Sequence, residues 1–155
     1  MTPQSLSHDL VRQAPPLRVN DTVEHAIRTL LDTDLPALPA VNPDGKLKGI
    51  FGEREFMTAL FPGYLGELKY AGFIKHSLDD AIEKRASCAK ETVERYLNTD
   101  HVDVGPDYSD IQLAETFLHH RVLIIPVVDN RRVIGVITRA NYFHRLAERF
   151  LHATP

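Results

Sequence analysis

The sequence repeats its main pattern once, and this repeat constrains the fold more than any other feature. The motif LPAV around Pro39 recurs as IPVV around Pro126, at an offset of 126 − 39 = 87 residues. Gly49, in the sequence KGIF, corresponds to Gly135, in the sequence IGVI, at an offset of 135 − 49 = 86. Two markers that agree to within one residue indicate two copies of one structural unit.

The first copy, from about residue 15 to residue 61, follows the order strand, helix, strand, strand, helix. Its first helix has apolar residues at the spacing of a core-facing stripe, and Asp21 with Glu24 can cap its start. A turn at residues 42–45, Asn-Pro-Asp-Gly, separates the two central strands. The predicted elements are an extended piece at Leu17–Val19, a helix with its stripe at Val23, Ala26, Ile27, Leu30 and Leu31, and strands at Ala37–Val41 and Leu47–Phe51.

The second copy repeats this order between about residues 102 and 150. Ser109 and Gln112 form a capping box for its first helix, and a turn at residues 129–131 joins its central strands. The predicted elements are an extended piece at Val102–Val104, a helix with its stripe at Ile111, Ala114, Phe117 and Leu118, strands at Val122–Val128 and Val133–Ile137, and a closing helix with its stripe at Phe143, Leu146, Ala147, Phe150 and Leu151.

A unit of about fifty residues has too little core to be stable alone. The two copies are therefore expected to pack as an intramolecular pseudo-twofold dimer of α/β (α+β) units, with a cleft between them. We predict a first unit at residues 8–61, an inserted linker at residues 62–97 and a second unit at residues 98–151.

The linker contains neither glycine nor proline between Lys75 and Val104, and Ser77 can cap a helix there. This pattern predicts one long helix packed on the core. An alternative is that aromatic and apolar residues in the first part of the linker form a contact surface for a second chain. The helical stripe is Leu78, Ile82, Ala86, Ala89, Val93, Tyr96 and Leu97, and the alternative contact residues are Tyr64, Leu65, Leu68, Tyr70 and Phe73.

Composition excludes several classes of function. The 155 residues carry a net charge of −3, which gives no basic excess for binding nucleic acid. The longest apolar run, Val122–Val128, is too short to cross a membrane, and the first ten residues lack the pattern of a signal peptide. We therefore expect a cytoplasmic protein. The lone Cys88 and the adjacent His119 and His120 do not have the spacing of a metal or catalytic site, so we expect no metal, no required cofactor and no enzymatic activity.

The ordered set of motifs resembles a pair of cystathionine-β-synthase (CBS) domains, also called a Bateman module. The motifs that carry the resemblance are DTVEHAI, LPAV and GIFGERE in the first copy, and YSDIQLA, IPVVD and GVITRAN in the second. The resemblance implies a regulatory module that binds AMP, ADP, ATP or S-adenosylmethionine between the two units. It also implies a homodimer.

In the family motif, a glycine is followed by two apolar residues, a threonine or serine, two further residues and an aspartate. The resemblance implies that the acidic group holds the ribose hydroxyls and that the threonine or serine reaches the ribose or phosphate. The second copy places Gly135, Thr138 and Asn141 at these positions, so the charge of the aspartate is lost. The first copy places Gly49, Gly52 and Glu55 there, so the hydroxyl is lost. The cleft with Thr138 and Asn141 is the first candidate.

Further candidates flank these motifs, and each has an ordinary structural explanation as well. Strand residues could form walls for an adenine ring, or they could simply belong to the core. Basic residues could contact a phosphate, or they could only be solvated. The candidate walls are Val104, Ile125 and Val127, or Val19, Leu38 and Ala40, and the candidate phosphate contacts are Arg139, Arg54, His120 and Arg121.

Three functional hypotheses follow from the sequence. The first is a sensor of an adenosine ligand. The second is a structural module with empty clefts that recruits a protein partner through the linker, and it is motivated by the altered motif positions Gly52 and Asn141. The third, a small enzyme, lacks a constellation of catalytic residues.

Overall fold

Two copies of the same run of elements follow one another along the chain, as the repeat predicts. The computed structural model describes residue 6, residues 9–61 and residues 78–153. The first unit comprises β1 (Leu17–Arg18), α1 (Val23–Thr33), β2 (Ala37–Val41), β3 (Leu47–Gly52) and α2 (Glu53–Leu60). The inserted segment contributes α3 (Leu78–Arg85) and 3₁₀ turns at Ala86–Lys90 and Val93–Tyr96. The second unit comprises α4 (Asp110–His119), β4 (Ile124–Asp129), β5 (Arg132–Thr138) and α5 (Arg139–Ala153).

Each unit is built around an antiparallel hairpin in the same register. Strand β2 pairs with β3 so that Pro39 lies opposite Ile50, and β4 pairs with β5 so that Pro126 lies opposite Val136. Both hairpins contain a register shift at the equivalent place. It lies between Ala40 and Val41 in the first hairpin and between Val127 and Val128 in the second. In the first unit β1 adds a parallel strand beside β2, and in the second Val104 makes the equivalent parallel bridge to β4.

The outer strand of each sheet, β3 or β5, pairs through an isolated bridge with a residue that precedes the elements of the other unit. Arg12, which precedes β1 of the first unit, pairs with Val136 of β5 through N to O distances of 2.8 and 2.9 Å. Asn98, which precedes Val104 and α4 of the second unit, pairs in the same way with Ile50 of β3. A Cβ on Gly135 would lie 2.5 Å from Val11 Cγ1. The repeated glycine is therefore required by the close approach of a crossing strand.

The core consists of two clusters that tie the units together. The first cluster contains residues of the first unit together with Ile124 and Val136 of the second. The second cluster contains second-unit residues such as Ile125 and Leu113, together with Leu10 from the start of the chain. The expectation of two tandem α+β units with a common interior is confirmed.

The predicted long linker helix is wrong. Helix α3 ends at Arg85, and 3₁₀ turns replace the expected helical continuation. The reason is that the backbone of this stretch is bonded to the first unit: Val23 N–H donates to Glu91 O at 2.9 Å, and Val93 N–H donates to Asp21 O at 2.8 Å. A continuous helix would need these same groups for its own bonds. The predicted contact residues Tyr64, Leu65, Leu68, Tyr70 and Phe73 lie outside the described residues.

The helix caps agree with the sequence in one unit and differ in the other. Ser109 and Gln112 form the predicted capping box of α4. At α1 the cap is Thr22, whose hydroxyl accepts from His25 N–H at 3.1 Å, and the prediction of Asp21 was wrong. The Asp21 carboxylate instead accepts from Arg18 N–H at 2.8 Å, which fixes the turn before the helix.

Several apolar stripes face outward rather than into the core. Leu31, Ile111 and Leu118 are 77–82% exposed, whereas Leu113 and Thr116 form the buried face of α4. On α5 the exposed members are Phe143, Leu146, Phe150 and Leu151. The predicted core face of α4 was therefore wrong, because it included Ile111 and Leu118 and omitted Leu113 and Thr116. Helical spacing alone did not distinguish a core face from a surface face.

Candidate functional site

Each unit has a junction where its last strand runs directly into its last helix. At the first junction Glu53 N–H donates to Pro36 O, and at the second Arg139 N–H donates to Leu123 O, both at 3.0 Å. These bonds hold the first turn of α2 or α5 beside the segment that enters the central strand of the same unit. The family motif positions lie on these two turns.

A small cavity at the first junction is lined by both units, and we call it cleft one. It contains Arg54 and Glu55 from the first turn of α2, and Arg121 from the loop before β4. Its volume is about 20 Å³, far below the roughly 300–1,000 Å³ of a ligand pocket. The complete lining is Ala37, Ile50, Arg54, Glu55, Asn98, Arg121, Val122 and Leu123.

Glu55 is half-buried and already serves the local structure. Its Oε1 accepts from Gly52 N–H at 2.9 Å, which satisfies one of the free amides at the start of α2. Burial raises the pKa of the Glu55 carboxyl, and the N–H groups of Gly52 and Glu55 and the positive charge of Arg54 oppose this rise. Among the lining residues of cleft one, Glu55 is the acidic one.

Gly52 cannot be replaced by the threonine or serine of the family motif without a rearrangement. A Cβ at this position would lie 2.4 Å from Ala37 Cβ and 2.5 Å from Pro36 O. The missing hydroxyl is therefore a consequence of the tight pairing between β2 and β3, where Ala37 lies directly opposite Gly52. Any ligand in cleft one depends on Glu55 and the arginines.

The second junction differs in its chemistry, and we call its surroundings cleft two. Thr138 is buried, and its hydroxyl accepts from Asn141 N–H at 3.1 Å. By the repeat offset, Asp34 takes the position that Arg121 has in cleft one, since 121 − 34 = 87. Arg12 takes the position of Asn98, and its Nη2 donates to Thr33 O of the first unit at 3.3 Å. The repeat alignment therefore pairs the cation Arg121 of cleft one with the anion Asp34.

The predicted adenine walls are mostly core residues. Ile125 and Val127 are buried in the second-unit cluster together with Val104, and Leu38 and Ala40 are buried in the first. Val19 is half-buried, and its carbonyl accepts from Glu94 N–H at 3.1 Å.

The basic candidates differ in whether they line cleft one, and Arg54, Arg121 and Arg139 are all exposed. Arg54 and Arg121 line cleft one, whereas His120 and Arg139 are not among its lining residues. The sequence reasoning missed Arg12, Asp34 and Asn98. Extending the repeat alignment upstream would have found the last of these, because Asn98 and Arg12 are also 86 residues apart.

Among residues 9–61 and 78–153, no cluster of three or more His, Cys, Asp or Glu side chains is arranged to hold a metal ion. No helix in that part of the chain is long and apolar enough to cross a membrane.

Comparison with known proteins gives one consistent family. The CBS domain profile matches residues 7–62 and again residues 93–148. An uncharacterized protein of Methanocaldococcus jannaschii is 23% identical over 130 residues, which cover 84% of this chain. The chain spans 38% of the length of that relative.

Solved structures share the fold at low sequence identity. A CBS-domain-containing protein of unknown function from Kribbella flavida is 22% identical, with a TM-score of 0.67 over 93% of this chain and 98% of that one. The CBS domain of a membrane protein from Sphaerobacter thermophilus is also 22% identical, with a TM-score of 0.69 over 90% and 86%. CBSX2, solved in complex with AMP, is 17% identical, with a TM-score of 0.65 over 94% and 98%.

Proposed function

Because the chain belongs to the CBS-domain family, we propose that it is a regulatory module that binds an adenosine-containing ligand between its two units. The ligand classes are AMP, ADP, ATP and S-adenosylmethionine. The observation that carries the proposal is the convergence of Arg54 and Glu55 from one unit with Arg121 from the other in cleft one. The fold of CBSX2, a protein solved with AMP, adds support.

The side chains of cleft one suit the two polar parts of a nucleotide. The Glu55 carboxylate can accept hydrogen bonds from both hydroxyls of a ribose. The guanidinium groups of Arg54 and Arg121 can donate to a phosphate. Since Arg121 belongs to the second unit, a bound phosphate would be held by both units at once.

The small volume of cleft one links nucleotide binding to a change in conformation. A nucleotide enters only if the arginines or the two units move, so it binds an opened arrangement better than the closed one described above. This difference in affinity is what allows a ligand to shift a conformational equilibrium. Cleft two, with Thr138 and Asn141, remains a second candidate, and the position of Asp34 disfavours a phosphate there.

Isothermal titration calorimetry with the four ligand classes tests the proposal. We expect binding of at least one phosphate-bearing ligand, and a loss of roughly 10- to 100-fold in affinity for Arg121→Ala, the usual effect of removing a charged hydrogen bond. Arg132→Ala, on the exposed hairpin of the second unit, is the matched control and should bind as the wild type does. Absence of heat for all four ligands at millimolar concentration would contradict the proposal.

One observation favours a second candidate function, a structural interaction module with empty clefts. Cleft one holds about 20 Å³, and its glycine at position 52 leaves no room for the motif hydroxyl. In that case three substitutions would each leave the binding of a protein partner unchanged: Arg121→Ala, Glu55→Ala and Asn141→Ala.

A further inference from the structure

The first unit and the inserted segment together form an apolar groove, which we call the insertion groove. Helices α1 and α2 provide two of its walls, and α3 with the 3₁₀ turn that follows it provides the third. Its volume is about 430 Å³, within the roughly 300–1,000 Å³ of sites that enclose a small molecule. Among the described residues, the linings of this groove and of cleft one have no member in common.

The floor and the walls of the insertion groove are apolar. Val23 and Cys88 are 1% and 4% exposed, so they form the floor. Three larger apolar side chains are half-buried along the walls: Ile27, Phe56 and Leu60. A hydrocarbon group that enters this space removes apolar surface from water on both sides of the contact, which is favourable.

The rim of the groove is charged, and its positive charge is in excess. The charged side chains in the described lining are Glu24, Arg28 and Arg85, which sum to +1. Arg28 Nη2 donates to Glu24 Oε1 at 3.1 Å, and both side chains are more than half exposed. Such a solvated pair is weak and rearranges at little cost. The lining therefore favours a ligand that carries one negative charge.

Arg85 holds the third wall in place and adds a cation to the lining. Its Nε donates to Ala59 O at 3.1 Å, and its Nη2 donates to the Tyr96 hydroxyl at 3.2 Å. These two bonds use two of the five N–H donors of a guanidinium. The Tyr96 hydroxyl donates in turn to Glu91. The groove is thus formed before anything occupies it, which lowers the cost of binding.

We propose that the insertion groove binds a free amphipathic carboxylate, with its hydrocarbon tail on the floor at Val23 and Cys88 and its head group at the rim beside Arg28 and Arg85. A neutral hydrocarbon would leave the positive excess of the rim unbalanced, and an organic cation would meet two guanidinium groups. A strongly polar anion would gain nothing from the apolar walls. Binding at this site does not require a nucleotide in cleft one.

Isothermal titration calorimetry with straight-chain carboxylates tests the site. Hexanoate, octanoate and decanoate, each below the concentration at which it forms micelles, should bind with one molecule per chain. Affinity should rise by up to roughly fourfold for each added methylene that is buried. Decanol has the same tail without the charge, and it should bind about three- to fivefold more weakly than decanoate.

Two substitutions in the third wall test where the ligand lies. Ala86→Trp fills the groove, and Ile82→Glu places a carboxylate in it; both residues are exposed lining residues, so circular dichroism should show both variants folded. Each should lower the affinity for decanoate by roughly tenfold or more, the effect of losing two buried methylenes. Ala153→Trp, exposed at the end of α5, is the matched control and should bind as the wild type does.

Arg28→Gln tests the charged rim. It should weaken decanoate by about three- to fivefold and leave decanol unchanged. Three results would overturn the proposal. Absence of heat for decanoate at millimolar concentration would mean that another part of the chain or a second copy already fills the groove. Unchanged binding in both Ala86→Trp and Ile82→Glu would place the ligand elsewhere, and equal affinities for decanol and decanoate would exclude recognition of the carboxylate.

Discussion

At the scale of single residues, Glu55 combines a structural and a proposed binding role. Its side chain caps the start of α2 through Gly52 N–H, and it is the acidic group of cleft one. Burial raises its carboxyl pKa. Because a ribose diol needs the deprotonated carboxylate as acceptor, nucleotide affinity should weaken on acidification at a higher pH than for an ordinary glutamate.

The same shift predicts the pH dependence of stability. A folded-state pKa above the unfolded value of about 4.5 means that the folded protein binds this proton more tightly. The stabilising contribution is complete below that value and is lost as the pH rises through the folded pKa. Glu55→Gln keeps the acceptor oxygen without the charge, so its stability relative to the wild type should increase from pH 4.5 to pH 7.

Chemical denaturation of both proteins across this pH range measures the difference. Glu53→Gln, an exposed change in the same helical turn, is the matched control for loss of a carboxylate at the start of α2. A Glu55→Gln difference that stays constant or decreases with rising pH would contradict the assignment.

Gly52 supplies a second residue-scale prediction. Gly52→Ala places a methyl group 2.4 Å from Ala37 Cβ, and overpacking of this kind typically destabilises by about 1–3 kcal/mol. Thr138→Ala at the equivalent position of the second unit removes only a cap, at about 1 kcal/mol. Urea denaturation should therefore rank Gly52→Ala as the less stable variant, and the reverse order would show that β2 and β3 can separate there.

At the scale of elements, the residues before β1 of the first unit pack against the second unit. Arg12 adds to the edge of β5, Leu6 N–H donates to Asp110 Oδ2 at 2.8 Å, and Leu10 is completely buried in the second-unit cluster. Deleting these residues would expose the core of the second unit around Leu10 and the edge of β5.

Leu10→Ala tests that assignment. A fully buried leucine in a packed cluster loses roughly 2–5 kcal/mol on truncation. Leu118→Ala, at a site 82% exposed on α4, should change the unfolding free energy by less than about 0.5 kcal/mol. Equal, small effects in denaturant titrations would mean that the start of the chain does not contribute to the core.

The elements also show what the sequence can and cannot predict. The repeat offset located both hairpins, and the Ser109 box and the turn at residues 42–45 follow from local chemistry. The prediction of a long linker helix was wrong because the backbone groups of Glu91 and Val93 form hydrogen bonds with the first unit. The local sequence does not indicate such long-range bonds. The prediction did not show that the apolar stripe of α5 faces outward, because helical periodicity does not reveal whether another part of the protein covers that face.

The candidate site was predictable to a similar extent. The motif positions Glu55 and Thr138 follow from the repeat and the family resemblance. The contribution of Arg121 to the cleft of the other unit depends on how the two units face each other. Asp34 was missed although the repeat alignment pairs it with Arg121, 87 residues away.

At the scale of the whole molecule, backbone pairing and a shared core connect the two units. Arg12 and Asn98 each join the sheet of the unit they do not precede, and the first core cluster contains Ile124 and Val136 of the second unit. A ligand that opens cleft one therefore acts on both sheets and on the outer helices attached to them. This gives a physical route from the cleft to the helical faces.

The proposed function requires that an adenine nucleotide be held by residues of both units. Native mass spectrometry of the purified chain with AMP, ADP or ATP added separately at millimolar concentration tests it most directly. We predict a bound mass of one nucleotide or more per chain for the wild type and for Arg132→Ala, and its loss in Arg121→Ala. A wild-type spectrum that contains only the bare chain, with the fold intact by circular dichroism, would contradict the claim.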